Sequence, residues 1–291
     1  MAKNKKSHFG LNISDHSLRF AKIAAVKDGL KLEKYGEYKI PTGVIESGSI
    51  QDMEKLEDIL SSLRKEENLK FVHLSLPLTV LQKHMIKNYL YVFEFAGIKI
   101  SSFEFEADSL ARLLIKKGDS ETQMIVDFGR KNTGIHIIAD RVPALSINFN
   151  FGGVELSNLI RENLGLTFEE AEEMKKQYGL EQNLENKKVF PMLLDGMAFL
   201  RNEISRPFLR WHTRQTDGKK DPIRKIIFCG GSSNLMGLTD YFSASLKTPV
   251  ILADIWKNIP NKDKNVSELT FSQSLSFAPA LGAALGGFKL N

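Results

Sequence analysis

Residues 124–138 read Met-Ile-Val-Asp-Phe-Gly-Arg-Lys-Asn-Thr-Gly-Ile-His-Ile-Ile, and the parsing of this stretch decides the fold. An apolar strand ends on the carboxylate of Asp127. A turn containing Gly129, Asn132, Thr133 and Gly134 follows, and a second apolar strand leaves it. Glycine lets the backbone bend tightly and approach a ligand closely, and free N–H groups in such a bend can cradle an anion. A carboxylate at a strand end can orient a metal-bound water, which is chemistry for a metal phosphate. Turns use the same residues for shape alone, so one such hairpin decides nothing.

A second copy changes the weight of the first. Residues 9–23, Phe-Gly-Leu-Asn-Ile-Ser-Asp-His-Ser-Leu-Arg-Phe-Ala-Lys-Ile, again read strand, polar turn (Ser14, Asp15, His16, Ser17), strand. Asn12 stands where Asp127 stands in the later copy. Internal duplication governs the whole architecture. Two related halves with polar hairpin tips imply a cleft in which a nucleotide's phosphate chain is gripped from both sides.

The chain has 291 residues, 42% of them apolar, enough to bury a real core as one large or two smaller domains. A net charge of +5 with scattered lysines does not indicate nucleic acid, and no aromatic-plus-basic binding motif is present. The run Lys3 to Lys6 reads as a solvated terminus. Cys229 has no cysteine to pair with, which fits a reducing compartment. No apolar run is long enough to span a bilayer, and the N-terminus lacks the apolar stretch of a secretory signal. A cytoplasmic location is expected by elimination.

Outward from the first hairpin, residues 30–40 alternate as a third strand closed by Pro41-Thr-Gly43. Residues 51–65 carry Met53, Leu56, Ile59, Leu60 and Leu63 at helical spacing, and residues 69–76 form a strand stopped by Pro77. Residues 78–88 read as a strand and 89–96 as a short helix. A strand over 98–105 and a helix over 106–117 lead to the second copy. There a third strand is expected over 141–149, and Gly152-Gly153 opens a helix through Asn163. Thr167 caps the next helix, with Glu169 and Glu170 in its first turn. A long helix spans 187–211, a polar connection 213–221, and a buried strand 224–229. A helix to about Leu246 and a strand over 250–252 follow. The last helix, 274–288, is rich in Ala and Gly and reads as a packing seam between domains.

The strand 224–229 runs into Gly230-Gly231-Ser232-Ser233 and then a helix, an arrangement that brings backbone close to a base or ribose beside a helix N-terminus. Any strand-to-helix turn can carry Gly-Gly, but behind two polar hairpins the pattern is specific. Glu203 on the long helix is a candidate ribose partner; a solvated helix-face carboxylate accounts for it equally well. The histidines have no metal-ligand spacing among themselves or with Cys229. P-loop, Rossmann and serine-nucleophile motifs are absent.

With hairpin, hairpin and Gly-Gly-Ser-Ser in this order, and the Ala/Gly-rich final helix, the chain resembles the actin-like ATPase superfamily. Within that superfamily it is similar to the PilM family of type IV pilus assembly, relatives of the cell-division protein FtsA. Phe103-Glu-Phe-Glu-Ala-Asp-Ser-Leu-Ala-Arg112 looks like the family's connecting segment. Ile227 to Leu238 looks like its adenosine motif, and Phe151-Gly-Gly-Val-Glu155 like the opening of the first helix of its second half. The resemblance implies an α/β fold of two duplicated actin-like (ribonuclease H-like) halves, mixed sheets flanked by helices, with a nucleotide cleft. The expected halves are residues 1–118 with 274–291, and 119–273.

On the same ground ATP and Mg²⁺ are the implied cofactors. Asn12, Ser14, Asp15, His16 and Ser17 would form the first phosphate loop, and Asp127, Gly129, Asn132, Thr133 and Gly134 the second. Gly152, Gly153, Glu203, Gly230, Gly231 and Ser232 complete the expected nucleotide set. Asp127 is the expected catalytic carboxylate and holds the metal through water. The implied partner is the N-terminal cytoplasmic segment of a PilN-like inner-membrane pilus protein, and the membrane is reached through that partner only.

Two departures from the family stand out. Asn12 replaces the usual Asp, which predicts nucleotide binding with weak or absent hydrolysis. The abrupt join at Lys87-Asn88-Tyr89 implies that the family's inserted subdomain, near 78–96, is largely trimmed. A small-molecule kinase of the superfamily and an FtsA-like filament former are the alternative functions.

Overall fold

A computed structural model describes residues 6–27, 29–80, 82–181, 187–213, 221–259 and 269–288. Most of the Lys3–Lys6 run and the polar connection expected near 213–221 lie outside these described residues. The chain divides into two compact units, Met1–Lys117 with Asp254–Asn291, and Gly118–Ala253.

The first unit begins with a three-strand meander, β1 (Ser7–Ile13), β2 (Ser17–Val26) and β3 (Gly29–Lys39). A two-residue hairpin joins β4 (Ile45–Glu46) to β5 (Ser49–Ile50) through Ser47 and Gly48, both at positive φ, as a primed turn requires. Helix α1 (Met53–Glu67) starts where the Asp52 carboxylate accepts from the Lys55 N–H and ends at Asn68 in the left-handed region. It buries Leu56, Leu60 and Leu63. Strand β6 (Phe71–Leu76), helix α2 (Lys83–Phe95), strand β7 (Lys99–Phe105) and helix α3 (Glu106–Leu114) complete this part.

The strand expected over 78–88 is not there. Residues 83–95 form one continuous helix that buries Met85, Tyr89, Val92 and Phe93, and Lys87-Asn88-Tyr89 lies in its interior. Apolar residues occur on every side of this segment, so its local pattern imitates strand alternation. The helical period shows only over its full length.

The second unit repeats the plan. Strands β8 (Gln123–Phe128), β9 (Thr133–Ala139) and β10 (Val142–Phe149) form its meander. Helices α4 (Gly153–Leu164), α5 (Phe168–Tyr178) and α6 (Val189–Thr213) follow, then strand β11 (Lys225–Cys229). A 3₁₀ turn over Gly231–Asn234, helix α7 (Leu238–Leu246) and strand β12 (Val250–Leu252) close it. The two sheets have matching orders, β3-β2-β1-β6-β7 and β10-β9-β8-β11-β12. In each, the meander is antiparallel and the last three strands are parallel.

Asn12 and Asp127 are structurally equivalent. Each is the penultimate residue of the central strand, paired with Arg19 and Ser75 in one sheet and with Gly134 and Cys229 in the other. Each sheet carries its own apolar core. Leu11, Val72, Leu74, Val92 and Phe93 belong to the first, and Val126, Phe128, Leu193, Met197 and Phe228 to the second.

The chain returns to the first unit at Asp254, ahead of the 274 boundary expected from sequence. The Asn258 side-chain amide donates to the Leu113 and Ile115 carbonyls, each at 2.9 Å, closing the C-terminal end of α3. Helix α8 (Phe271–Ser274), a 3₁₀ turn over Leu275–Phe277 and helix α9 (Ala278–Gly286) then follow. The small residues of α9, read from the sequence as a seam between domains, pack against β1 and α3 of the first unit. A Cβ on Gly10 of β1 would collide with the α9 backbone at Ala280 and Ala284. On its other side Gly282 packs on the Ser109 carbonyl of α3, and the Arg112 Nη1 donates to the Gly282 carbonyl at 2.8 Å. No helix among the described residues is long and apolar enough to cross a membrane.

Candidate functional site

In the second unit the glycine segments singled out from the sequence meet at one carbonyl. The Gly129 oxygen accepts from the Gly153 N–H at 3.1 Å and from the Ser232 hydroxyl at 2.7 Å. The β8–β9 turn, the N-terminus of α4 and the turn after β11 are thereby fastened together. The Gly152 N–H is held by the Glu155 carboxylate at 2.7 Å. Within the β8–β9 turn, Gly129 N–H donates to the Asn132 carbonyl at 3.0 Å and Thr133 Oγ1 donates to the Phe151 carbonyl at 2.7 Å. Thr133 is buried, so its hydroxyl shapes the turn rather than facing outward.

Gly230 has φ 86°, a conformation that disfavours any side chain, and the space its Cβ would need is taken by the Asp127 carboxylate. Asp127, half-buried at the end of β8, is thus bordered by bare backbone. Arg130 and Lys131 extend the same turn and add positive charge, a contribution the sequence reading did not single out. Arg130 also lies over the Phe168 ring.

Beside α4 sits an ammonium group that sequence reasoning missed. Lys175 of α5 is buried, and its Nζ donates to the Gly153 carbonyl at 2.8 Å, Ser157 Oγ at 2.9 Å and Glu172 Oε2 at 2.6 Å. Burial lowers the Lys175 pKa, against the raising effect of Glu172. Burial acts to raise the Glu172 pKa, and hydrogen bonds from Lys175 and Ser157 more than offset it, leaving that group lowered. The pair is held ionised by its hydrogen bonds. Glu203, by contrast, accepts from Arg206 on its own helix at 2.7 Å.

His136 lies two residues along β9 from Gly134, with its ring over that glycine: a Cβ there would stand 2.7 Å from His136 Nε2. Burial pulls the His136 pKa down to about 4, so the ring is neutral at physiological pH.

In the first unit, the Asn12 amide donates to Glu106 Oε1 at 2.8 Å and to the Ser75 carbonyl at 3.2 Å. Glu106 is in the first turn of α3, where its charge suits the helix dipole. Within the β1–β2 tip, Ser14 Oγ lies 3.1 Å from both the carbonyl and the hydroxyl of Ser17. The Asp15 carboxylate accepts from the Ser47 and Gly48 N–H groups at 2.8 and 2.9 Å, fixing the β4–β5 hairpin. The His16 carbonyl accepts from the Ile40 N–H at 2.9 Å.

Among the described residues no three His, Cys, Asp or Glu side chains gather as a metal-ion site. A cage that strips a metal of water is therefore not built among them. One strand-end carboxylate fits Mg²⁺, which keeps most of its waters and takes few protein ligands.

Comparison with known proteins gives the chain its relatives. The sequence family described as "Type IV pilus assembly protein PilM" matches residues 82–288. Among solved structures the chain is similar to a "PilM-PilN type IV pilus biogenesis complex", at TM-score 0.74 and 16% identity, covering 96% of this chain and 98% of that one. It is also similar to MreB5 of Spiroplasma citri bound to ADP, at TM-score 0.68 and 14% identity, with 94% of each chain covered. The ethanolamine utilization protein EutJ from Carboxydothermus hydrogenoformans matches at TM-score 0.64 and 18% identity, over 96% of this chain and 89% of that one. Likeness at these identities is one of fold, and the fold is the actin-like one.

Proposed function

Because the chain belongs to the type IV pilus assembly protein PilM family, we propose that it is an ATP-binding adaptor acting at the inner face of the cytoplasmic membrane. Its partner is the N-terminal cytoplasmic segment of a PilN-like inner-membrane protein. The carrying observation for nucleotide is the junction at Gly129, where three glycine-bearing segments are fastened beside the Asp127 carboxylate. Bare backbone and a basic turn there suit a phosphate chain, and the close backbone at Gly230 and Gly231 suits the nucleoside.

Asp127 would hold Mg²⁺ through water, and the ion would supply charge neutralisation of the phosphates. Asn12, the equivalent position of the other sheet, offers an amide in place of a carboxylate. It is a poorer orienter of a hydrated cation, so the protein is at most a weak ATPase.

Calorimetric titration with Mg-ATP tests the nucleotide reading: saturable binding supports it, and no heat at millimolar ligand overturns it. The partner reading is tested separately, by fluorescence anisotropy with a labelled peptide of the PilN-like N-terminal segment. Failure to saturate with and without nucleotide would refute it.

A further inference from the structure

Helix α2 carries large apolar side chains on its exposed side as well as its buried one. Met85, Tyr89, Val92 and Phe93 are buried, while Leu90, Tyr91 and Phe95 leave the same helix outward at 44%, 50% and 68% exposure. A helix lying on a water-facing unit ordinarily turns a polar face outward, and a contiguous exposed apolar patch marks a contact surface. Tyr91 and Phe95 are four residues apart, about one helical turn, so both leave the same side of the helix.

The charge on this face selects its occupant. Lys83 and Lys87 are exposed along the outer side of α2 against one acid, Glu94. At the C-terminal end of the helix the Arg64 guanidinium lies against Gly97, 3.1 Å from where a Cβ would stand, and the exposed Lys99 begins β7. Aromatic rings flanked by lysines match the headgroup boundary of an anionic bilayer. The rings sit at the interface, and the ammonium groups reach the phosphates.

We propose that this face of α2 rests directly on an anionic phospholipid surface, as a second tether beside the protein partner. This departs from the expectation that the membrane is reached through a partner alone. A few side chains and charges give marginal, reversible attachment by themselves. Coupled to a membrane-anchored partner, the same contact gains from the high local concentration of lipid and fixes the orientation of the first unit at the bilayer.

The test is flotation of the full chain with phosphatidylcholine vesicles, with and without phosphatidylglycerol, in the absence of partner and nucleotide. Binding to the phosphatidylglycerol vesicles alone, weakening with salt, is expected. Tyr91→Ser with Phe95→Ser should lower partitioning at least about tenfold, and Lys83→Glu with Lys87→Glu by a similar factor. All four side chains are exposed, so thermal unfolding of both variants should match the parent. Absence of binding to anionic vesicles overturns the proposal, as does binding that neither pair of substitutions reduces. A concentration-dependent dimer abolished by Tyr91→Ser with Phe95→Ser, without vesicle binding, also overturns it and gives the face to a second copy.

Discussion

Asn12 Nδ2 donates to Glu106 Oε1 across 2.8 Å in a buried setting, tying the central strand of the first unit to the first turn of α3. An amide and a carboxylate attract at that distance; two ionised carboxylates repel. Asn12→Asp should therefore destabilise the nucleotide-free protein by about 1–3 kcal/mol at neutral pH. The new pair would share a proton, its folded-state pKa raised above the unfolded value. The lost stability should thus return on acidification and disappear again as pH rises through the raised pKa. Thermal melts across pH check this.

The same substitution bears on turnover. If the missing carboxylate at Asn12 silences hydrolysis, Asn12→Asp should raise the steady-state ATPase rate by about 10²–10⁴. Phosphate release at saturating Mg-ATP is the measurement, and an unchanged rate sinks the explanation.

Asp127→Asn should weaken Mg-ATP at least about tenfold while leaving metal-free ATP nearly unaffected, because the carboxylate acts on the hydrated cation. Titrations with and without chelator separate the two. Equal losses in both would mean that Asp127 shapes the turn and does not serve the metal.

Lys175→Met leaves the Gly153 carbonyl and the Glu172 carboxylate without their ammonium partner. A loss of about 3 kcal/mol is expected, the scale for breaking a buried ion pair from one side. Denaturant unfolding followed by Trp211 fluorescence in the second unit reads it. A shift below about 0.5 kcal/mol, the size of an ordinary surface substitution, would show that the cluster is not structural.

His136 gives the second unit an acid limit. Its folded pKa of about 4 lies below the ordinary 6.5. The stability that comes from burying a neutral ring is fully present above pH 6.5 and is lost as pH falls toward 4, about 3 kcal/mol in all. His136→Asn should flatten that part of the stability–pH curve. A parallel slope in parent and variant would assign the acid sensitivity elsewhere.

Much of the fold was legible because it is written twice. The polar turns at 14–17 and 129–134 each separate two apolar strands, and the sheet orders repeat around Asn12 and Asp127. Glycines 152, 153 and 230 were visible as turn residues, and the structure brings two of their segments to the Gly129 carbonyl. What stayed hidden depends on contacts distant in sequence. Glu106 lies 94 residues from Asn12, and nothing local marks it as that amide's partner. Lys175 looks like any helix-surface lysine until Gly153 and Ser157 are placed around it. Helix α2 is hidden for another reason: Leu90, Tyr91 and Phe95 break up its exposed polar side, so the helical period shows only over the full length.

The packing of Gly10 against Ala280 and Ala284 has a consequence for how the protein is made. The strand that begins the first unit is covered by a helix translated after the whole second unit, whereas the second unit is one uninterrupted segment. During synthesis on the ribosome the strands of the first unit emerge before those of the second, yet the second unit can complete its core while β1 still waits for its cover. Any chaperone that guards the nascent chain would find its target on the apolar face of β1, and its release would be timed by the arrival of α9.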